Sequence, residues 1–415
     1  MKSVISSILF LIFAVQPAVT LAATYQIGAN REINSLKSII ARLKPGDMVE
    51  IDPGVYQEVM KITAKSTSDA PIIIRGVGAE RPVFDAKGLT VSGAGSIPRA
   101  IFQIEGDHIT VENLEFKNAR NGNNGAGIRL NGSTNAIIRN CKISYCDMGI
   151  QGGDTETALI ENCDIGFNGT VDHAGYSHNF YMAGNRVIVR NCYIHDSMYG
   201  QNYKSRAHYN ELWYNWIIDS MEGEVGPVDG RGATDQPNSH TLMVGNVIVS
   251  RPDRNGNAAK FVLMGSELGG SHQGTLYMFY NVLIAGTSRI VFIQLDDPLT
   301  HADIKYNIFM GSPKILEKRF EESSVTGMYN WLPNDARIPK GFSESIQGQE
   351  PGFVNIGQRN FSLNPDSPFL NLPFQDVEYT DGDGIKQTLA VDLQTLQDMY
   401  SGKRISSAIP DFGQH

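Results

Sequence analysis

The sequence is short of positive charge and of cysteine, and both shortages exclude classes of function. It contains 35 Lys and Arg residues against 44 Asp and Glu residues, which gives a net charge of −9. A nucleic-acid-binding protein is therefore not expected, because phosphate binding needs a basic surface. The 4 cysteines include no Cys-x-x-Cys pair, which excludes a zinc site of that type. Any anionic ligand must bind at a local basic cluster.

Long apolar runs are absent once the N-terminus is passed. Lys2 precedes an apolar run from Val4 to Val15, and the small residues Ala22 and Ala23 follow. This pattern is typical of a signal peptide, predicted here to span residues 1–22, and the run is too short for a convincing membrane span. We therefore expect a secreted or periplasmic protein without a membrane span.

Glycine, in contrast, is abundant at 42 of 415 residues, which indicates many tight turns and few long helices. One short pattern recurs: an apolar residue, any residue, Asn, an apolar residue, any residue and another apolar residue. Four clear copies and five looser ones centre on Asn113, Asn140, Asn162, Asn191, Asn215, Asn246, Asn281, Asn307 and Asn330. Their spacing of 22 to 35 residues is typical of a solenoid with variable loops.

Apolar and polar residues alternate on either side of each Asn, which indicates strands. The alternation slips at the Asn itself, and Asn tolerates the left-handed conformation that a sharp bend requires. The predicted fold is therefore all-β, a right-handed parallel β-helix over residues 23–375. A β-sandwich is the alternative, which nine copies of one bend motif disfavour.

Both ends of the solenoid are predicted to be covered. A short N-terminal capping helix is expected over 34–43, because four apolar residues there have helical spacing: Leu36, Ile39, Ile40 and Leu43. Residues 376–415 are predicted to form a C-terminal cover or tail, with a helical run near Leu393–Tyr400.

Three cysteines directly follow an anchor Asn and are predicted to be buried. Cys141, Cys163 and Cys192 are expected to share one interior column with Leu114, Trp216, Val247, Val282, Ile308 and Trp331. A ladder of small apolar side chains is the expected result. Because adjacent coils lie about 4.8 Å apart, a disulfide stays open as an alternative in an exported protein.

Counting back from the anchors places a basic cluster on one solvent-facing sheet. The residues predicted to share that sheet are Arg129, Gln151, His178, Asn202, Lys204 and Arg206. Lys204 and Arg206 lie two apart on one strand, so their side chains project side by side. His178 is predicted to lie opposite Asn202, one coil earlier, and Phe180 is predicted to lie between Gln151 and Lys204 in the same column as Arg129. Because like charges on a strand face do not favour stability, a function is expected.

These residue types suit β-elimination on a uronic acid. That reaction needs a neutralised carboxylate, a base for the C5 proton and an acid for O4. Arg206 is suited to clamp the carboxylate, and Lys204 becomes a base where its pKa is depressed by the adjacent arginine. His178 or a tyrosine, Tyr181 or Tyr199, is the candidate acid.

Two stretches resemble known families. The segments 177–182 (SHNFYM) and 200–207 (GQNYKSRA) look like those of a group of exported bacterial right-handed β-helix proteins. Lys204-Ser205, followed by Asn210 and Asn215, is similar to the chondroitinase B and alginate lyase family. This resemblance implies that a strand lysine is the base and that an arginine on a following coil assists, with Arg231 as its candidate counterpart.

The resemblance and the column argument together give the candidate site. The catalytic candidates are Lys204, Arg206 and His178. The substrate-binding candidates are Asn202, Asn179, Tyr181, Arg129, Gln151 and Arg231. The resembling family holds Ca²⁺ with two acids located seven and five residues before the lysine, and here those positions are Ser197 and Tyr199. No cofactor is therefore predicted, but Ca²⁺ stays open as an alternative that lacks these acidic ligands, with Glu222 and Glu224 one coil on as candidate cation ligands.

The predicted function is that of an exported polysaccharide lyase that cleaves an anionic, uronate-containing glycan. The expected partner is an acidic polysaccharide, and the chain is expected to be a monomer. A uronate epimerase or a glycoside hydrolase on the same scaffold is one alternative, and a non-catalytic glycan-binding or surface structural protein is another. If Lys204 is not the base, the site is to be sought near Glu222, Asp229 or Glu267.

Overall fold

The chain winds into successive coils, and each full coil contributes strands to three parallel faces. The structure is a computed structural model that describes residues 22–252, 260–390 and 392–403. In the coils, each strand pairs in parallel with the strands one coil before and one coil after it. This arrangement confirms the predicted parallel β-helix.

In chain order, the strands are β1 (Thr24–Ile27), β2 (Met48–Ile51), β3 (Val55–Tyr56), β4 (Met60–Ile62), β5 (Ile72–Gly76), β6 (Val83–Asp85), β7 (Ala100–Ile104), β8 (Ile109–Glu112), β9 (Glu115–Lys117), β10 (Ala126–Asn131), β11 (Ala136–Arg139), β12 (Lys142–Ser144), β13 (Met148–Gly153), β14 (Thr155–Glu161), β15 (Asp164–Gly166), β16 (Phe180–Arg190), β17 (Tyr193–His195), β18 (Tyr203–Trp213), β19 (Trp216–Ile218), β20 (Val225–Pro227), β21 (Thr241–Val244), β22 (Val247–Val249), β23 (Lys260–Gly265), β24 (Thr275–Phe279), β25 (Val282–Ile284), β26 (Val291–Asp296), β27 (His301–Lys305), β28 (Ile308–Met310), β29 (Lys314–Lys318), β30 (Ser324–Met328), β31 (Trp331–Pro333), β32 (Phe342–Ser343), β33 (Ile346–Gly348), β34 (Phe353–Asn355), β35 (Asn360–Leu363), β36 (Val377–Thr380) and β37 (Lys386–Leu389).

One of the three faces carries the residues of interest and is called the site face below. It runs β4, β7, β10, β13, β16, β18, β20, β23, β26 and β29. Alternate residues of these strands point inward, so that Ile128, Ile150, Phe180 and Tyr203 stack inside the helix with no exposed surface. The side chains between them point outward, which is what creates a functional face.

Each coil bends sharply before it enters the face that runs from β3 and β6 to β33. These bends carry left-handed residues, as the Asn motif predicts. In the first coils the left-handed residue is the Asn, for example Asn162 and Asn191, each with φ of 53°. In later coils it is the residue before the Asn, for example Tyr214 with φ of 56° and Tyr280 with φ of 58°. The bend is therefore confirmed, but its position moves by one residue between the coils of Asn191 and Asn215.

This shift corrects the predicted cysteine column. Tyr193, not Cys192, pairs with Trp216, and the column of Cys192 continues into Asn215, whose Oδ1 accepts from the Cys192 N–H at 2.9 Å. The Asn215 Nδ2 then donates to Asn246 Oδ1 at 3.0 Å. The same pattern repeats at the buried residues Asn281, Asn307 and Asn330. The interior column is therefore a cysteine ladder that becomes an asparagine ladder.

The cysteines are free and buried, so we expect slow reaction with thiol reagents. Burial raises the pKa of the Cys146 thiol to about 12 and raises those of Cys141 and Cys163 well above the usual value. The reactive thiolate is thus scarce in the native protein. Labelling with a chromogenic disulfide at neutral pH should be slow and should become rapid in denaturant. Rapid labelling without denaturant would contradict the interior placement.

The N-terminal cap is shorter than predicted. The four apolar residues of 34–43 are buried, but the only regular helical element there is a 3₁₀ turn, Ile40–Arg42. The chain is already extended at Leu43, with φ of −60° and ψ of 138°. Pro45 restricts the residue before it to extended conformations, so the helix cannot continue towards β2.

The C-terminal segment packs along the coils and covers an aromatic ladder. It contains the antiparallel hairpin of β36 and β37 and the helix α1 (Leu393–Tyr400), which confirms the predicted helical run. Trp216 Nε1 donates to Met399 O at 3.0 Å. Phe374 covers Tyr280 and Tyr306, whose rings stack 4.9 Å apart, so these tyrosines are part of the packing.

Two further observations concern membranes and the predicted signal segment. In the described ranges, no helix is long and apolar enough to cross a membrane. The signal peptide predicted over residues 1–22 lies, except for Ala22, outside the described residues, and it stays a prediction.

Candidate active site

Strand register decides which outward side chains meet on the site face. Arg129 pairs with Gln151, Gln151 with Tyr181, and Tyr181 with Lys204. The predicted column contained Phe180 at the position that Tyr181 occupies. The cause is one extra residue before β14: Gln151 and Thr155 are four residues apart, but their partners Tyr181 and Gly184 are three apart.

The same correction moves two predicted substrate-binding residues inside the helix. Asn179, and not His178 as predicted, lies at the register position of Asn202, and both asparagines are fully buried. Asn168 Nδ2 donates to Asn179 Oδ1 at 2.9 Å, and Asn179 Nδ2 donates to Asn202 Oδ1 at 2.8 Å. The series ends at Glu224, whose Oε2 accepts a hydrogen bond from Asn202 Nδ2 at 2.7 Å. This internal ladder supports the site face from behind, and neither Asn179 nor Asn202 contacts the surface.

Five predicted residues meet at one cleft of about 270 Å³ on the site face. They are Gln151, His178, Tyr181, Lys204 and Arg206. The cleft is completed by six residues from loops, which are Asn123, Asn124, His173, Tyr176, Glu267 and Leu268. Arg231, by contrast, is exposed in a turn and does not line the cleft.

Glu267 bridges the two cations at the floor of the cleft. Lys204 Nζ donates to Glu267 Oε1 at 2.6 Å, and Arg206 Nη2 donates to Glu267 Oε2. Lys204 and Arg206 are 5% and 9% exposed, whereas about a third of the Glu267 side chain is exposed. Arg206 Nη1 also lies 3.6 Å from Asp229 Oδ1, so two cations and two carboxylates balance in this cluster, and an anion that binds here competes with Glu267 for the cations.

Arg206 is held in one orientation by several partners. Its Nε donates to Tyr181 Oη at 2.9 Å, and its Nη1 donates to the backbone oxygen of Asp229 at 2.5 Å. Its guanidinium also lies 5.9 Å from the centre of the Tyr181 ring. A planar guanidinium fixed in this way presents a defined edge to a carboxylate.

Asp229 anchors the loop that carries Glu267. Its carboxylate accepts backbone N–H groups of Glu267, Leu268 and Gly270 at 2.6 to 2.9 Å. Burial opposes its ionisation, but these three donors and Arg206 outweigh it, so the pKa of Asp229 lies below its usual value. Asp229 therefore stays ionised and serves as a support for the loop.

Burial lowers the pKa of Lys204, and the neighbouring charge of Arg206 acts in the same direction. The hydrogen bond and charge of Glu267 offset part of this effect. A lowered pKa increases the neutral fraction of the amine near neutral pH, as a general base requires.

His178 is a neutral hydrogen-bonding group in this site. Burial lowers its pKa well below the usual value, and the charges of Lys204 and Arg206 contribute. Its Nδ1 accepts the backbone N–H of Gln201 at 2.9 Å, which assigns the ring proton to Nε2. The neutral ring can donate that N–H to a ligand, but it is not an imidazolium acid at neutral pH.

Arg129 lies beside the cleft, three coils nearer to the N-terminus than Lys204. Its Nη1 donates to Gln151 Oε1 at 2.5 Å, and its Nε donates to Asn131 Oδ1 at 3.2 Å. The predicted outward position of Arg129 and Gln151 is thus confirmed by the register and by these contacts.

Metal ligands are not grouped in the described part of the chain. Within residues 22–252, 260–390 and 392–403, no cluster of three or more His, Cys, Asp and Glu side chains has the geometry to hold a metal ion. Ser197 is fully buried, at a position where the resembling family has a carboxylate ligand.

Buried neutral histidines outside the cleft predict a loss of stability in acid. Burial lowers the pKa values of His240 and His272 to about 4. The unfolded chain binds their protons below about pH 6.5, so each histidine should remove up to about 3 kcal/mol of unfolding free energy as the pH falls towards 4. His195 has a raised pKa and opposes this trend, because its stabilisation is lost only as the pH rises through its folded value.

Denaturant unfolding of the wild type, measured between pH 7 and pH 4.5, should show this loss. His240→Gln should reduce the pH dependence, whereas the exposed His301→Gln should preserve it. Equal pH dependence in all three proteins would contradict the assignment to His240.

Comparison with known proteins supports the observed β-helix fold. Residues 72–234 match the model of the right-handed β-helix region, so the coils have the predicted hand. No curated protein matches the chain in sequence.

Three solved structures illustrate the similarity. A rhamnogalacturonan lyase has a TM-score of 0.59 and 13% identity, with 85% of this chain and 95% of that chain covered. An alginate lyase from Paenibacillus sp. strain FPU-7 has a TM-score of 0.51 and 14% identity, with coverage of 73% and 97%. A glycoside hydrolase has a TM-score of 0.53 and 8% identity, also with coverage of 73% and 97%. At such low identity, these matches establish the fold alone.

Proposed function

We propose that this protein is an exported polysaccharide lyase that cleaves an anionic, uronate-containing glycan by β-elimination. The observation that carries the proposal is the pair Lys204 and Arg206, which lie nearly buried at the floor of one cleft beside Tyr181 and His178. The lyases among the structural neighbours support the choice of reaction, and the apolar N-terminal segment supports export.

Arg206 is the group that binds the uronate carboxylate. The carboxylate draws electron density from C5 only when its own negative charge is neutralised, and the fixed, nearly buried guanidinium of Arg206 provides that neutralisation. The substrate carboxylate competes with Glu267 for this cation. Removal of the C5 proton then places negative charge on the carboxylate oxygens, where Arg206 stabilises it.

Lys204 is the base, and Tyr181 is the candidate acid. Neutral Lys204 takes the C5 proton, the electrons of the C5–H bond form the C4–C5 double bond, and the C4–O4 bond breaks. O4 then receives a proton from the Tyr181 hydroxyl, whose oxygen accepts the Nε–H of Arg206 and is thereby stabilised as the proton leaves. His178 donates its Nε2–H to a sugar oxygen and positions the ring.

The two enzyme alternatives differ in product. A uronate epimerase uses the same proton removal but returns the proton to C5 and keeps the C4–O4 bond. A glycoside hydrolase needs two carboxyl groups on opposite sides of the bond. Here Asp229 is fully buried and accepts three backbone N–H groups, which leaves Glu267 as the exposed carboxylate of this loop.

A screen of acidic polysaccharides tests the proposal. The purified protein should produce ultraviolet absorbance from an unsaturated uronate with at least one of pectate, rhamnogalacturonan, alginate, chondroitin and hyaluronan. A neutral glucan is the control and should give no signal. Depolymerisation without this absorbance would show a hydrolase, and loss of all signal across the panel would contradict the proposal.

A further inference from the structure

A second basic group lies on the site face, on the N-terminal side of the cleft. Arg129 shares the outward column of Lys204, and Arg99 directly precedes β7, one coil further. Among the described residues, neither arginine forms an ion pair within 4.0 Å with a carboxylate. On the next face, by contrast, Arg139 pairs with Glu112 and Arg190 pairs with Glu161.

The two arginines repel each other, and this repulsion lowers the stability of the folded protein. Burial lowers the pKa of Arg129, and the charge of Arg99 contributes. Two cations kept close together without a carboxylate are typical of a surface that receives an anionic ligand.

The catalytic cleft and the arginine pair are connected. A second cleft of about 260 Å³ is lined by Arg99, Ser92 and Asn121, and it shares Asn123 and Asn124 with the catalytic cleft. Gln151 lines the catalytic cleft and accepts from Arg129. A chain that leaves the catalytic cleft towards the N-terminus therefore meets the arginine pair.

In the opposite direction, the cations of the site face are accompanied by carboxylates: Arg319 pairs with Asp296, and Lys260 lies near Asp296 and Glu317. Lys204 pairs with Gly226, and two coils further the column contains Gln294 and then Glu317. An anionic polymer is thus favoured on the N-terminal side of Lys204 and disfavoured on the other side.

We propose that Arg99 and Arg129 form a distal subsite that binds a second anionic group of the same polysaccharide. The identity of this ligand rests on the proposed function. Three coils separate Arg129 from Lys204, which is roughly 14 Å at the usual strand spacing. Because one sugar unit of an extended chain spans about one coil, the second anion belongs to a sugar about three units away. A disaccharide cannot reach both sites.

Binding of oligosaccharides of two lengths tests this subsite without any need for turnover. Dissociation constants are measured by calorimetry for dimers and hexamers of galacturonate, mannuronate and glucuronate. The protein carries Lys204→Ala so that the ligands stay intact. Adding Arg99→Gln and Arg129→Gln together should weaken hexamer binding by at least about tenfold, as expected for lost charge-assisted hydrogen bonds, and should change dimer binding by less than about twofold.

Arg42→Gln is the matched control, because Arg42 is an exposed arginine of the N-terminal 3₁₀ turn, away from the site face. It should leave both constants unchanged. A sulfated hexasaccharide without uronate distinguishes a carboxylate from a sulfate as the bound anion. Binding of either hexamer that depends on Arg99 and Arg129 supports the subsite. If such binding is found but no unsaturated product is ever detected, the lyase proposal fails and the subsite stands. Equal effects on dimer and hexamer, or binding of no hexamer, would overturn the subsite.

Discussion

Replacing Lys204 by methionine should abolish most turnover and leave the fold intact. Loss of a general base typically lowers kcat by about 10²–10⁴-fold. Methionine keeps most of the apolar stem of Lys204, which is buried under the loop of Glu267, so no large cavity forms. Arg206 remains to pair with Glu267, and the carboxylate is not left without a cation. The measurement is the initial rate of absorbance increase, together with the thermal midpoint.

The matched control for this variant is Lys142→Met. Lys142 lies on β12, on a face other than the site face, and its Nζ is 3.9 Å from an Asp164 oxygen. Its replacement should change neither rate nor thermal midpoint noticeably. Full activity of Lys204→Met on the true substrate would show that Lys204 is only a buried partner of Glu267.

Replacing Arg206 by lysine should lower kcat/KM by about 10²–10³-fold, although the positive charge is kept. A lysine ammonium cannot contact Tyr181, Glu267 and the backbone oxygen of Asp229 at once, as the guanidinium does. We expect kcat and KM both to change, because the substrate carboxylate is bound in the ground state and in the transition state. A buried carbonyl left without a donor should also lower the unfolding free energy by about 1–3 kcal/mol.

Arg186→Lys is the control for this second variant. Arg186 also forms an ion pair, with Glu211, and also lies over a tyrosine ring, that of Tyr209, but it does not line the cleft. It should retain wild-type kcat and KM. If Arg206→Lys and Arg186→Lys behave alike, Arg206 does not bind the substrate.

The fold was accessible from the sequence because a β-helix repeats one local rule many times. Nine Asn anchors mark nine of the twelve strands that the described residues contribute to the face after the bend, and the alternation around them predicts the direction of most side chains. The position of the left-handed residue is less visible, because both Asn191 and Tyr214 adopt that conformation. Because of a one-residue shift at that bend, Trp216 lies in the column of Tyr193 and not in that of Cys192. Because of the extra residue before β14, Tyr181 and not Phe180 lies in the outward column of Gln151. Such shifts depend on how strands pair between coils, and a local sequence pattern does not show that pairing.

The site was accessible mainly on β18 and just before β16, where the repeat predicts the register, and Glu267 was named only as a place to look if Lys204 is not the base. Lys204 and Arg206 follow from alternation along β18, whereas Glu267 is 63 residues away from Lys204 in the sequence and lies on a loop outside the repeat. His173 ends the 3₁₀ turn Val171–His173 and Tyr176 follows it, so the strand periodicity did not mark either residue. These residues line the cleft only because the folded coils place their loops over the site face.

We propose that this cleft breaks a glycosidic link by elimination, without adding water. Digestion in water labelled with oxygen-18, followed by mass spectrometry of the products, tests it most directly. Elimination should yield oligosaccharides with an unsaturated non-reducing end, and the cleavage step should incorporate no oxygen-18. Products that carry one oxygen-18 atom for each bond broken, with saturated ends, would contradict it.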